Sequence, residues 1–345
     1  MTVPDEFKKA SSSQNVRPGE VGAVVTLKAI AKVAGVSAQT VSCVINNTGS
    51  VSDSVRKQIR QIATQLGYLP NKSAKTMRTG RSQTLGLVIS DIRHPFFSEL
   101  AHGVQLAAGE AGYALLFVNA DGSPEQVSER VSVLRSHAVE GIITTEYSPA
   151  VRRLGLPTVK IGEPMRGVTS ISADDAAGGV LLADYLLAKG HRRIGLVSSP
   201  RGGCVLTRRD AFVERIAHEG EVAWEVYTPP SEVITEQIAA MLSRRDVSAI
   251  HCSHDLIAIE LLRELRKQKI EVPQEVSVVG FDDISWASIA APALTTVRQP
   301  FFGMCSGAID LLLEKIANPE RRTRRLKLGV ELIERETVAD LVGPP

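Results

Sequence analysis

The sequence predicts an α/β protein, with a small N-terminal helix-turn-helix headpiece followed by a core of two doubly wound parallel-sheet subdomains. Three observations carry this. Residues 26–46 read as two short helices about a tight turn. From Leu85 onward, strand-like apolar runs alternate with helix-length stretches. The excess of positive charge lies almost wholly ahead of that alternation. The 345 residues are enough for two or three domains with substantial cores.

The first helix runs from Leu27 to Ala34, with Leu27, Ile30, Ala31 and Ala34 on one face. Gly35 and Val36 make the turn, where a helix-to-helix junction favours positive φ. Ser37 is a good N-cap for the second helix. Val41 and Val44 direct that helix back onto the first. Gln39, Thr40, Ser42 and Asn46 face outward, short and polar, able to reach phosphates and base edges. This spacing suits the motif that lays its second helix in the DNA major groove. Taken alone, the same pattern also fits an αα-hairpin in an ordinary core.

Ser52 caps a third helix with an apolar stripe of Val55, Ile59, Ile62 and Leu66, and Gly67 ends it. From Thr26 to Arg81 there are nine Lys or Arg residues and one acid, Asp53. That local excess of +8 stands in a chain whose net charge is +2. A basic end on an acidic body is the footprint of a polyanion binder. Before it, Met1 to Val25 is Ser-rich and aperiodic, and a disordered tail is expected. After it, residues 71–83 form a short helix-capable stretch with little apolar surface, either a segment that folds on docking or a plain linker.

The core alternates as follows. A strand opens at Leu85, helix Pro95 to Ala111 follows, then strand Tyr113 to Asn119 and helix Pro124 to Ser136. Strands Gly141 to Thr145 and Pro157 to Ile161, helix Asp174 to Lys189 and strand Arg193 to Ser198 come next. Helices Arg208 to His218 and Ile234 to Leu242, strand Ala249 to Cys252, helix Asp255 to Gln268 and strand Val276 to Phe281 complete it. There are too many strands for one tidy sheet, so two similar subdomains with ligand space between them are expected. Their boundaries are placed at residues 84–170 plus 296–320, and 171–295 plus 321–340.

Several classes are disfavoured. No Gly-x-Gly-x-x-Gly follows a strand and there is no Walker A sequence, Gly-x-Ser-x-Gly elbow or His-Glu-x-x-His, so no enzyme activity, cofactor or metal is expected. Cys43, Cys204, Cys252 and Cys305 are scattered and read as reduced thiols. No apolar run suits a membrane span, and the first residues lack a signal-peptide pattern, so a cytoplasmic protein with no membrane partner is expected.

The ordered motifs T-L-K-A-I-A-K-V-A-G-V-S-A-Q-T-V-S, V-S-D-S-V-R-K-Q-I, L-G-Y-L-P-N, M-R-T-G-R-S-Q-T-L-G-L-V-I-S-D-I-R-H-P-F-F, K-G-H-R-R-I-G-L-V, V-P-Q-E-V-S-V-V-G-F-D-D-I and P-A-L-T-T-V-R-Q-P span nearly all of Thr26 to Thr337. In these the chain resembles the LacI/GalR family of bacterial transcription regulators. The resemblance implies a DNA-binding headpiece, a hinge helix, and a periplasmic-binding-protein-like effector core in a homodimer or tetramer. No heptad-rich tail follows Thr337, which favours the dimer.

Carried over by position, Ala38, Gln39 and Cys43 fall where the family reads bases, and Thr40, Ser42 and Asn46 where it holds phosphates. Thr26, Leu27, Ser37 and Asn71 are further DNA positions. Gln39 suits a bidentate contact to adenine, and Ala38 a contact to a thymine methyl. Cys43 departs from the usual Arg and cannot make the guanine fork. Ala74 and Lys75 match the minor-groove pair of the hinge, and Met77 the wedge at the central base step.

In the core the resemblance implies effector contacts from Asp91, Phe96, Phe97, Arg208, His254, Asp255 and Asp282. Phe96 by itself also reads as core. His254 stands where the family has Asn, and Gly162-Glu163 replaces a common hydroxyl-binding acid. A sugar or nucleoside fits best. The expected function is a repressor on a palindromic duplex operator, released by that effector. The alternatives are a corepressor-dependent regulator or a solute-binding protein of a sugar transport system.

Overall fold

The computed structural model describes residues 25–68, 80–121, 123–199, 203–228 and 234–343. It divides into two compact units between Gly80 and Arg81. The expected tail and the hinge positions Asn71, Ala74, Lys75 and Met77 lie outside the described residues, apart from Val25 at the end of the tail.

In the first unit three helices share one core. Helix α1 (Leu27–Ala34) begins where Thr26 accepts a hydrogen bond from the Ala29 N–H at 3.3 Å. It ends at Gly35, whose φ of +67° turns the chain so that the Val36 N–H returns to the Ala31 carbonyl at 3.1 Å. Helix α2 (Ala38–Ile45) is capped by Ser37, which accepts from the Thr40 N–H at 3.0 Å. Helix α3 (Asp53–Gln65) closes the unit, and Ile30, Ala31, Val41, Val44, Ile59 and Ala63 are buried together. Ser52 holds the N-cap position of α3, yet its side chain makes no cap bond; its hydroxyl lies 3.3 Å from that of Ser54. Asp53 in the first turn supplies the favourable negative charge instead.

The second unit alternates strand and helix. Its first half holds β1 (Thr84–Ile89), α4 (Pro95–Glu110), β2 (Ala114–Asn119), α5 (Pro124–Ser136), β3 (Ile142–Thr144), α6 (Pro149–Arg153), β4 (Thr158–Ile161) and β5 (Thr169–Ala173). Then come α7 (Asp175–Ala188), β6 (Arg193–Ser198), α8 (Cys204–Ile216), β7 (Glu221–Tyr227), α9 (Glu236–Ser243), β8 (Ala249–Cys252), α10 (Asp255–Lys267) and β9 (Ser277–Val279). The last are α11 (Ser285–Ile289), β10 (Thr296–Arg298), α12 (Phe301–Ala317), β11 (Arg325–Leu328) and β12 (Glu331–Ile333).

These strands make two parallel sheets, ordered β11-β5-β4-β3-β1-β2 and β7-β6-β8-β9. A short antiparallel ribbon, β10 with β12, is bridged to the end of the second sheet through Val279–Thr295 and Asp282–Arg298. Near-continuous apolar strands fit sheets covered on both faces. Leu85, Leu87 and Ile89 pack on Leu100, Val104 and Leu312 on one side, while Val88 packs with Val131 and Leu134 on the other. In the second sheet Leu196 meets Phe212 and Phe281, and Val197 meets Ile250 and Leu261. In both sheets the strand order reverses at the first strand, between β1 and β3 and between β6 and β8. Such reversals open a crevice at the carboxyl ends of the strands.

The expected subdomain boundaries shift. Strands β5 and β11 pair in the first sheet, and β10 joins the second, so the chain crosses after Ala173, after Arg298 and after Leu328. Strand β5, T-S-I-S-A, lacks an apolar run, yet Thr169, Ser170 and Ser172 are all buried. Its hydroxyls hide it from a hydropathy reading. Strand β7 and helix α12 were likewise unmarked, and α8 begins at Cys204 rather than Arg208.

Candidate DNA-reading surface and effector cavity

On the headpiece, Gln39 is exposed on the first turn of α2, while Ala38, Thr40, Ser42, Cys43 and Asn46 are half-buried. Thr26 and Ser37 are exposed, with their hydroxyls engaged as caps, and Leu27 packs against the core. Asn46 turns back on its own helix: its Nδ2 donates to the Ser42 carbonyl at 2.7 Å and lies 3.2 Å from Ser42 Oγ. The Cys43 thiol sits against Gly49, where a Cβ would come within 3.4 Å of it. Lys28, Lys32, Lys57 and Arg60 are exposed cations, and Arg60 Nη2 donates to Asn47 Oδ1 at 2.5 Å.

In the second unit a cavity of about 280 Å³ gathers the carboxyl ends of both sheets. Ser90 follows β1, Thr145 follows β3, Lys160 to Glu163 end β4, Ser199 follows β6, and His254 follows β8. Asp282 and Gln299 enter beyond β9 and β10, Phe96 and Phe97 from the first turn of α4, and Arg208 from α8.

Arg208 is the hub. Its Nε and Nη2 donate to Asp175 Oδ1 at 3.1 and 2.8 Å, and its Nη1 donates to the Ser253 carbonyl at 2.9 Å and to Asp282 Oδ1 at 3.4 Å. The guanidinium lies 3.7 Å from the centre of the Phe281 ring, a cation–π contact. Burial alone would lower the Arg208 pKa, but Asp175 and Asp282 outweigh it and hold the group charged. Helix α8 approaches α7 closely because position 179 is glycine; a Cβ there would lie 2.2 Å from the Arg208 carbonyl oxygen.

Asp282 adopts a φ of +117°, a region that is costly for a non-glycine residue and that persists where surroundings over-determine it. Its N–H donates to the Val297 carbonyl at 2.8 Å, and its Oδ1 accepts from Gln299 Nε2 at 2.6 Å. Burial raises its pKa, against the pull of Arg208 and His254. The His94 and His254 rings meet edge to face with centres 5.0 Å apart. His94 also caps α4, its Nδ1 accepting from the Phe96 N–H at 3.2 Å. Phe96 packs on Phe97 and Phe301 at ring distances of 5.2 and 5.1 Å.

Five of the seven expected effector residues therefore line one cavity: Phe96, Phe97, Arg208, His254 and Asp282. The other two do not. Asp255 is fully buried; its Oδ1 accepts from Thr296 Oγ1 at 2.5 Å and its Oδ2 from the Ile284 N–H at 3.0 Å. It staples the segment that presents Asp282. Asp91 faces Arg93, whose Nη2 donates to Oδ2 at 2.8 Å, and stands outside the lining. Sequence reasoning missed Ser90, Thr145, Lys160, Asp175, Ser199 and Gln299. Ser90, Thr145 and Ser199 each follow a strand directly, the position at which a doubly wound sheet places its ligand contacts. Lys160 and Gln299 carried no such local mark.

A helix-turn-helix with a basic surface, in one chain with a cavity of aromatic and charged side chains at two sheet reversals, defines the class of ligand-responsive DNA-binding proteins. Comparison with known proteins agrees. Residues 26–71 match the model of bacterial regulatory proteins of the lacI family, and residues 183–338 match that of a periplasmic binding protein-like domain. The chain is 29% identical to the ribose operon repressor of Escherichia coli K12 over 330 residues, covering 90% of this chain and 99% of that protein. It is 29% identical to the transcriptional repressor PurR of Vibrio cholerae serotype O1 strain M66-2 over 335 residues, 92% of this chain and 99% of that one. Among solved structures, a transcriptional regulator CelR–cellobiose complex matches with a TM-score of 0.66 and 29% identity over 91% of this chain and 99% of that chain. The Lac repressor dimer bound to operator and an anti-inducer shares the fold, with a TM-score of 0.80 at 24% identity over 92% and 100%. The chain therefore carries a DNA-binding domain of the lacI family at residues 26–71 and a periplasmic-binding-protein-like domain at residues 183–338.

Proposed function

We propose that the chain is a transcriptional repressor that binds a palindromic operator as a homodimer in the cytoplasm and is controlled by a small sugar or nucleoside. The observation that carries the effector half is the convergence of Phe97, Arg208, Asp282 and Gln299 on one cavity. An aromatic ring offers a stacking face for a sugar or base, and the fixed carboxylate and guanidinium offer acceptors and donors for hydroxyls. The relatives support the same reading, since they include a ribose operon repressor and a regulator solved with cellobiose.

The DNA half rests on Gln39, exposed at the start of α2, in a unit that also exposes Lys28, Lys32, Lys57 and Arg60. Asn71, Ala74, Lys75 and Met77 would add the hinge contacts. Effector binding that favours one arrangement of the core would shift the population of the DNA-binding state. The opposite sign, a corepressor that tightens DNA binding, uses the same cavity. Among the described residues no helix is long and apolar enough to cross a membrane.

The test is selection of an operator from a randomised duplex pool with the full chain, followed by titration of that duplex with and without a panel of sugars and nucleosides. A palindrome is expected to emerge, and one panel member is expected to shift its affinity. A ligand at a hundred times its Kd should also stabilise the folded chain by about 2.7 kcal/mol. No enriched sequence would overturn the DNA-binding half, and an enriched operator that no sugar or nucleoside affects would overturn the effector half.

A further inference from the structure

Lys160 is one of five formally charged residues in the lining, with Glu163, Asp175, Arg208 and Asp282, and it differs from the others. It sits on β4, is 8% exposed, and lines the cavity. Its Nζ donates to the Glu163 carbonyl at 2.5 Å. Among the described residues no carboxylate lies within 4.0 Å of that ammonium. By contrast, Arg208 has Asp175 at 2.8 Å and Asp282 at 3.4 Å. A charge removed from water requires compensation, and a lysine is almost never buried unpaired. The Glu163 carbonyl satisfies one of its three N–H donors, which leaves two donors and the charge itself to be met from the cavity side.

We propose that the effector of this chain is an anionic polyol, a sugar-like molecule bearing a carboxylate or a phosphate, and that Lys160 is the residue that selects the anionic group. The inference rests on the effector reading given above and names its class. The division of labour follows from the charges. Arg208 is already neutralised by two carboxylates, so the Arg208–Asp282–Gln299 group recognises hydroxyls rather than an added anion. Lys160 is a compact ammonium on a flexible stem, which binds an anion as a point charge. The cavity of about 280 Å³ admits a five- or six-carbon sugar acid or sugar phosphate. Glu163, also in the lining, is exposed at the rim and contributes its backbone oxygen, not its carboxylate, to Lys160.

The experiment is calorimetric titration of the full chain with three sets of probes: D-gluconate and D-glucuronate, D-glucose 6-phosphate and D-ribose 5-phosphate, and the neutral parents D-glucose and D-ribose. At least one acidic probe is expected to bind at least tenfold more tightly than its neutral parent. Whether it comes from the first or the second set tells carboxylate from phosphate. Lys160→Met, which keeps the unbranched stem but ends before the ammonium, is expected to remove that preference while leaving the unfolding midpoint within a few degrees. If the variant does not fold, the wild-type preference decides alone. Neutral parents that bind as well as the acids, a preference that survives in a folded Lys160→Met chain, or binding of none of the six would each overturn the proposal. None of those results touches operator binding, measured on the same preparation, so failure of the anionic class is distinct from failure of the regulator reading.

Discussion

Two nitrogens of the Arg208 guanidinium donate to one oxygen of Asp175, at 3.1 and 2.8 Å, with both side chains buried. Removing the acid leaves a cation out of water without its nearest partner. Asp175→Ala is expected to lower the stability of the core by about 3 kcal/mol, read by urea unfolding. The double replacement Asp175→Leu with Arg208→Met removes both charges and is expected to recover much of that loss. A double variant no more stable than the single one would mean that packing, not the stranded charge, sets the cost.

His251 stacks on Phe212 with ring centres 4.4 Å apart and is fully buried. Burial, helped by Arg208, pushes its pKa down to about 3. The folded chain then binds fewer protons than the unfolded chain between about pH 6.5 and the depressed value, so stability is lost as pH falls through that window. The loss approaches about 1.4 kcal/mol per pH unit within it. His251→Phe is expected to flatten the acid limb of the stability profile; an unchanged limb would place the effect elsewhere.

Asp255 works in the other direction. Burial, and then the charge of Asp282, raise its pKa well above the usual carboxylate range. The folded state holds that proton after the unfolded state has released it, so the group's contribution falls as pH rises from about 4 through the folded value. Asp255→Asn keeps the shape and can still meet Thr296 and the Ile284 N–H. Its stability is expected to be flatter with pH than that of the wild type, and higher relative to it at pH 8 than at pH 5. Parallel curves for the two chains would show that Asp255 does not titrate in this range.

On DNA, Gln39→Ala is expected to weaken binding to the selected operator by about 1–3 kcal/mol and to relax preference at one base pair per half-site. A scan of single-base operator variants reads this directly. A uniform loss over all variants would reassign Gln39 to backbone contact.

Much of the architecture was legible locally. Gly35 and Ser37 announce the turn and cap of the headpiece, and both act as expected. Pro124 to Ser136, Arg193 to Ser198 and Ala249 to Cys252 coincide with α5, β6 and β8 at both ends, because their signals lie within a few residues. Strand β5 was not legible, because its Thr and Ser side chains look like a loop until neighbouring strands bury them.

The sequence by itself determined the alternation of strands and helices, the helix-turn-helix, the basic headpiece, and five of the residues that line the cavity. Tertiary structure alone decided that Asp255 is held by Thr296 outside the lining and that Lys160 enters it. The physical reason is the nature of parallel pairing. Each crossover separates neighbouring strands by a helix or more, so the site is assembled from ends far apart in the chain, as Arg208 and Asp282 are at 74 residues. Local periodicity states which face of an element is apolar, but only the packed sheets determine which strand ends share one crevice and which charge there has no carboxylate beside it.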